Sequence, residues 1–201
     1  FADQIDTPTL LYQEWYDRLF PVNEALRTFG SLQANGVEAK LVIGNGGVHG
    51  FGQVPSPPQT QQQFLRQAVL SWMGRHLKDT GPDSLATVNY YDANNDEFVE
   101  ADAFPPQSTT ETTFSLGLQD EPELQVPENE QTSFEFTFEQ RSEIVGVPII
   151  EMAVTPLGDG PTRLAVGLQR VTDSGTETIQ EQVSAVELSS QTEIELELHA
   201  V

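Results

Sequence analysis

The strongest constraint on the fold of this chain lies in its first fifty residues, where two short apolar runs flank one stretch of helical periodicity. The first run, residues 8–13, has the apolar, β-compatible character of a buried strand. Pro21 then opens a segment in which Val22, Ala25, Leu26, Phe29 and Leu32 recur on one helix face, and Asn35-Gly36 supplies its stop. Ala39 to Ile43 forms the second run. Two strands joined by a helix predict a right-handed βαβ unit, which belongs in a parallel sheet covered by helices. A longer helical pattern follows from Pro58 to Lys78, with Phe64, Leu65, Ala68, Val69, Trp72, Met73 and Leu77 on its apolar face and Gly81-Pro82 as its stop. That helix is expected to pack on the sheet and close the first domain.

After Leu85 the period changes from helical to alternating. Residues 87–91, 97–99, 112–118, 133–138, 148–155, 163–171, 177–183 and 193–199 read as short strands divided by turns rich in Asn, Asp, Gly and Pro. The last is a strict alternation, with Ile194, Leu196 and Leu198 on one side and Glu193, Glu195 and Glu197 on the other. This patterning predicts an antiparallel two-sheet sandwich with one wet face per strand. The expected fold is therefore α/β followed by all-β, with an α/β part over residues 1–80 and a β-sandwich over 81–201.

Charge divides at the same place. The chain carries 31 acidic against 9 basic residues, a net charge of −22. Seven of the acids and six of the bases lie in the first 80 residues, so the excess belongs almost wholly to the remainder. Because these acids alternate with Val, Ile, Leu and Phe, they read as the solvent faces of a folded sheet rather than as a disordered acidic tail. Such a surface repels nucleic acid and anionic membranes. Acid-rich, lysine-poor surfaces resemble those of proteins from extreme halophiles, and a halophilic source is expected. Cysteine is absent, which excludes a disulfide framework and thiolate metal sites and leaves the compartment, cytoplasmic or secreted, open. No apolar run approaches the ~20 residues of a membrane span. Phe1 is not an initiator methionine, and the chain is expected to be a piece of a larger protein.

Both apolar runs end at polar turns: Trp15-Tyr16-Asp17 after the first and Gly46-Gly47-Val48-His49-Gly50 after the second. An acid and then a base at successive strand ends is the order of the last two members of a Ser, Asp, His triad in an α/β-hydrolase. The flanking glycines suit His49 to a tight turn; a surface-loop histidine is the plainer alternative. Asp17 competes with a helix-capping role and with Glu14, three residues earlier. Asp92-Ala93-Asn94-Asn95-Asp96-Glu97 imitates the start of a calcium loop, but Glu97 stands where glycine is required and Ala103 where a bidentate Glu is required, so a hairpin turn is expected there. His76 and His199 read as ordinary structural or surface residues, and neither a metal nor a cofactor is expected.

Pro8-Thr9-Leu10-Leu11-Tyr12 with Trp15-Tyr16-Asp17, Gly44-Asn45-Gly46-Gly47-Val48-His49-Gly50, Val88-Asn89-Tyr90-Tyr91 through Ala103-Phe104-Pro105-Pro106, and Glu143-Ile144-Val145-Gly146-Val147-Pro148 together resemble the X-Pro dipeptidyl-peptidase and CocE/NonD group of serine hydrolases. In that group an α/β-hydrolase domain precedes a jelly-roll sandwich of the galactose-binding kind. The resemblance implies Asp17 as triad acid, His49 as general base, and a small peptide or ester substrate. It also implies a nucleophilic serine in a G-x-S-x-G elbow, and no such pentapeptide occurs in this sequence. The expectation is the C-terminal part of a serine hydrolase, truncated at both ends and inactive alone, with an unpaired sheet edge that invites a homo-oligomer. The alternative is a non-catalytic β-sandwich module for binding or oligomerisation.

Overall fold

The computed structural model describes the chain outside residues 1, 18, 48–58, 81–83, 117–125, 128–129, 141, 158–159 and 191. The described residues cluster into two units: residues 1–107 with 145–201, and residues 108–144.

The first unit is organised by a four-stranded sheet in the order β1 (Thr9–Tyr16), β2 (Ala39–Gly47), β3 (Val88–Asp92), β4 (Glu97–Ala101). β1 and β2 pair in parallel, as the strand, helix, strand pattern requires, and β3 adds to β2 in parallel before returning through β4 as a hairpin. The sheet thus runs past residue 80, where composition changes.

The connecting helix α1 (Val22–Ala34) begins after Pro21 and ends at Asn35-Gly36. Gly36, at φ 75°, lets its own N–H donate to the Gln33 carbonyl and that of Val37 to the Leu32 carbonyl, so two terminal carbonyls are satisfied. The buried face of α1, with Val22, Phe29 and Leu32, meets Leu41 and Ile43 of β2, Val88 and Tyr90 of β3, and Trp15 in one core. A second helix, α2 (Gln59–Lys78), lies on the other sheet face, where Phe64 stacks on Phe98 of β4 at 3.9 Å and Phe98 meets Tyr91 edge-on. β2 is therefore covered on both sides, which is why its apolar residues run consecutively. The apolar face expected for α2 is only partly used. Ala68 and Trp72 are buried, but Val69, Met73 and Leu77 are exposed, because helical periodicity marks an apolar face without supplying its cover.

The remaining strands form three separate antiparallel ladders: β5 (Ile149–Val154) with β10 (Thr192–Glu197), β6 (Thr162–Val166) with β9 (Ser184–Leu188), and β7 (Gln169–Thr172) with β8 (Gly175–Thr178). The run expected as one strand over 163–171 is divided at Gly167-Leu168, where a Cβ on Gly167 would stand 2.8 Å from a Val183 methyl. In β10 the glutamates at 193, 195 and 197 point to solvent while Ile194 and Leu196 are half-buried. The chain end returns to the first core. Ala200 is fully buried, its N–H donates to the Asn23 side chain at 2.9 Å, and Asn23 donates to the Leu198 carbonyl at 3.0 Å.

The second unit holds no helix or strand among its described residues, unlike the strands expected over 112–118 and 133–138. Alternation specifies a face, but a ladder also needs a partner backbone. Phe114 instead packs against Phe136 at 4.6 Å and Phe138 at 5.7 Å.

Candidate active site

Parallel pairing brings the carboxyl ends of β1 and β2 side by side, with Tyr16 opposite Gly47 after a register shift beyond Glu14. Open parallel sheets gather functional residues at this edge because successive strand ends arrive there together.

Asp17 is the first residue past β1 and is buried. Its Oδ1 accepts the N–H groups of Leu19 and Phe20, each at 2.9 Å. The carboxylate therefore folds back on its own turn and orders it, as a capping acid would. The same turn is gripped from two further directions. Trp15 Nε1 donates to the Tyr91 carbonyl of β3 at 3.1 Å, and the Gln182 side-chain amide donates to the carbonyls of Trp15 and Asp17 at 3.2 and 3.1 Å. Tyr16 sits at the surface. His49 lies outside the described residues, two positions beyond Gly47.

Glu14, the rival acid, occupies a different position. It accepts the Tyr12 hydroxyl proton at 2.8 Å and lies over Gly46 so closely that a Cβ there would stand 2.2 Å from its carboxyl carbon. Burial raises its pKa above the ordinary carboxylate value; the Tyr12 hydrogen bond opposes this, and the Asp17 charge adds to it. Tyr12 is driven well above the usual phenol range, chiefly by burial and then by Glu14. Glu14 serves as the partner of Tyr12, and Asp17 as the ordered carboxylate at the strand end.

The segment leading toward His49 is held from α2. Gln61 is fully buried, and its Oε1 accepts the Asn45 N–H at 3.0 Å while its Nε2 has no hydrogen-bond partner among the described residues. Gly44 admits this arrangement, since a Cβ there would come 2.7 Å from the Tyr12 hydroxyl and 3.3 Å from Gln61 Nε2. Neither Gln61 nor Gln182 was distinguishable in the sequence. Gln61 sits in a run of polar helix residues that reads as solvent-facing, and Gln182 lies 165 positions from the turn it binds.

The calcium-like segment forms the β3–β4 hairpin turn. Asp92 accepts the Asn94 N–H at 2.7 Å and the Asn95 amide at 2.5 Å, and Asp96 takes φ 58°. Its carboxylates thus serve the turn; the nearby Tyr91 hydroxyl donates to Asp96, and burial with that contact lifts Tyr91 to about 12. Among the described residues no cluster of three or more His, Asp or Glu is placed to hold a metal, and no helix is long and apolar enough to cross a membrane.

No family model matches the sequence, and no curated relative matches it. Solved structures do match. The crystal structure of an aminopeptidase from the marine sediment archaeon Thaumarchaeota archaeon superposes with a TM-score of 0.64 at 12% identity, over 96% of this chain and 44% of that one. The chain thus spans less than half the length of that aminopeptidase, and the likeness is one of fold, taking in the parallel sheet edge and the antiparallel ladders together.

Proposed function

We propose that the chain is the C-terminal part of a serine hydrolase of the X-Pro dipeptidyl-peptidase or CocE type: the end of an α/β-hydrolase domain followed by a jelly-roll-like β region. In this reading Asp17 is the orienting acid and His49 the general base. The observation that carries it is the ordered, buried Asp17 immediately beyond β1, beside the strand end from which the chain runs to His49. His49 is two positions beyond Gly47, which limits their Cα separation to about 7 Å. The likeness to an archaeal aminopeptidase over nearly the whole chain supports a hydrolase parent.

The chemistry follows from these groups. The imidazole accepts the proton of a serine hydroxyl as its oxygen attacks the substrate carbonyl, then returns a proton to the leaving amine or alcohol. Asp17 holds the ring in the tautomer that can accept that proton and stabilises the imidazolium. The serine belongs to a part of the parent outside these 201 residues, so this chain alone does not turn over substrate.

The test is hydrolysis of X-Pro dipeptide and short acyl ester substrates in concentrated salt by the full-length parent, by its His49→Ala and Asp17→Asn variants, and by this chain. Loss of about 10⁴-fold or more in kcat in both variants is expected. A parent whose activity is indifferent to His49 would refute the assignment.

A further inference from the structure

Gln182 reaches from the C-terminal ladders to the turn that carries Asp17. Its primary amide has two N–H groups, and both are used, one on the Trp15 carbonyl and one on the Asp17 carbonyl. The residue is buried, so these bonds do not compete with bulk water. One planar amide bridging the carbonyls of residues i and i+2 fixes the backbone curvature between them. From the other side, Leu19 and Phe20 N–H groups hold the Asp17 carboxylate itself.

The segment that delivers Gln182 is built for that reach. β8 runs into a tight turn, Ile179–Glu181, in which Gln180 takes φ 55°. Ile179 N–H donates to the Leu168 carbonyl at 2.9 Å, anchoring the turn to the bend between β6 and β7. A left-handed backbone at a non-glycine residue persists only where surrounding contacts hold it. Its consequence here is that Gln182 points at the end of β1.

We propose that Gln182 is a positioning residue for the catalytic acid: the C-terminal β region, through this one amide, sets where the Asp17 carboxylate stands. The proposal rests on the hydrolase reading of Asp17. It gives the β region a part in the acid's placement beyond covering the core.

Amide hydrogen exchange and the His49 imidazole titration, both followed by NMR on the full 201-residue chain, test it with Gln182→Met and Asp17→Asn. In Gln182→Met, protection at Leu19 and Phe20 should fall about tenfold or more beyond any change at Leu41 and Ile43, which report global opening. The His49 titration should move to lower pH, in the direction that Asp17→Asn moves it by about one unit or more. A uniform loss of protection with an unmoved His49 titration would show that Gln182 only stabilises the fold, and would overturn the proposal. If Asp17→Asn shifts His49 while Gln182→Met leaves both readouts unchanged, the proposal falls and the hydrolase reading stands. If Asp17→Asn leaves His49 unmoved, both fall. Should Gln182→Met not fold, Gln182→Asn, which keeps the amide but withdraws it by one methylene, is read by the same criteria.

Discussion

In β2, Leu41, Val42 and Ile43 are consecutive and each is at most 1% exposed; in β5, Ile149 is 56% exposed and only alternate residues reach even half burial. The first strand is roofed on both faces by α1 and α2, whereas the β5–β10 ladder has one face in water. The two also treat charge differently. β2 buries Lys40, whose ammonium donates to the Leu85 carbonyl, while the β5–β10 ladder sets Glu151 directly opposite Glu195. Like charges facing across a ladder are tolerable only where solvent and salt screen them. The parallel region is thus held by burial, and the antiparallel region by backbone pairing under a screened acidic surface.

Truncating a side chain should separate the regions most clearly. Leu41→Ala removes a fully buried group from a site closed on both faces and should cost about 2–5 kcal/mol, against about 1–2 kcal/mol for Leu196→Ala on the half-buried face. Urea unfolding midpoints give both values, and equal costs would erase the distinction. Gly46→Ala probes how closely the first region packs at its strand end. The new methyl must push the Glu14 carboxylate from the Tyr12 hydroxyl, costing about 1 kcal/mol and letting the Tyr12 phenol titrate at lower pH, visible in ultraviolet absorbance.

The acidic ladder makes the opposite prediction. Glu151→Lys should stabilise by about 0.5 kcal/mol at low ionic strength by pairing with Glu195, and the gain should vanish near 1 M salt. A gain that persists in salt would mean the acidic face is not governed by screening. The smallest effect concerns Glu14, whose folded pKa lies above its unfolded value. Its protonated form favours the fold, so its contribution is fully present below the unfolded pKa of 4.5 and is lost as pH rises through the higher folded value. Glu14→Gln should therefore stabilise at pH 7 by less than about 0.5 kcal/mol, given solvent screening, and have no effect at pH 3.5. Thermal melts at the two pH values measure it.

The elements of the first region were legible because each announced itself locally. An apolar run, a helical repeat closed by Asn35-Gly36 and a second run leave few topologies open. The alternation of β10 was equally plain, since the glutamates at 193, 195 and 197 mark a wet face. Where a pattern needed a distant partner, local reading fell short. The Phe134, Phe136 and Phe138 alternation contains the periodicity of a strand but no ladder to join among the described residues. Val69, Met73 and Leu77 mark an apolar helix face that is left exposed.

The candidate site divides in the same way. The order of a strand-end acid and a glycine-flanked histidine is a property of the sequence, because chain order and turn chemistry are local. The sequence also determined the charge asymmetry and the βαβ unit. Only the tertiary structure gave the two acids their different partners, by placing Glu14 against Tyr12 and Gly46 and Asp17 against the N–H groups of its own turn. It alone also brought Gln182 to that turn, since contacts across 165 residues depend on how elements pack, and no periodicity or motif encodes a single amide reaching between them.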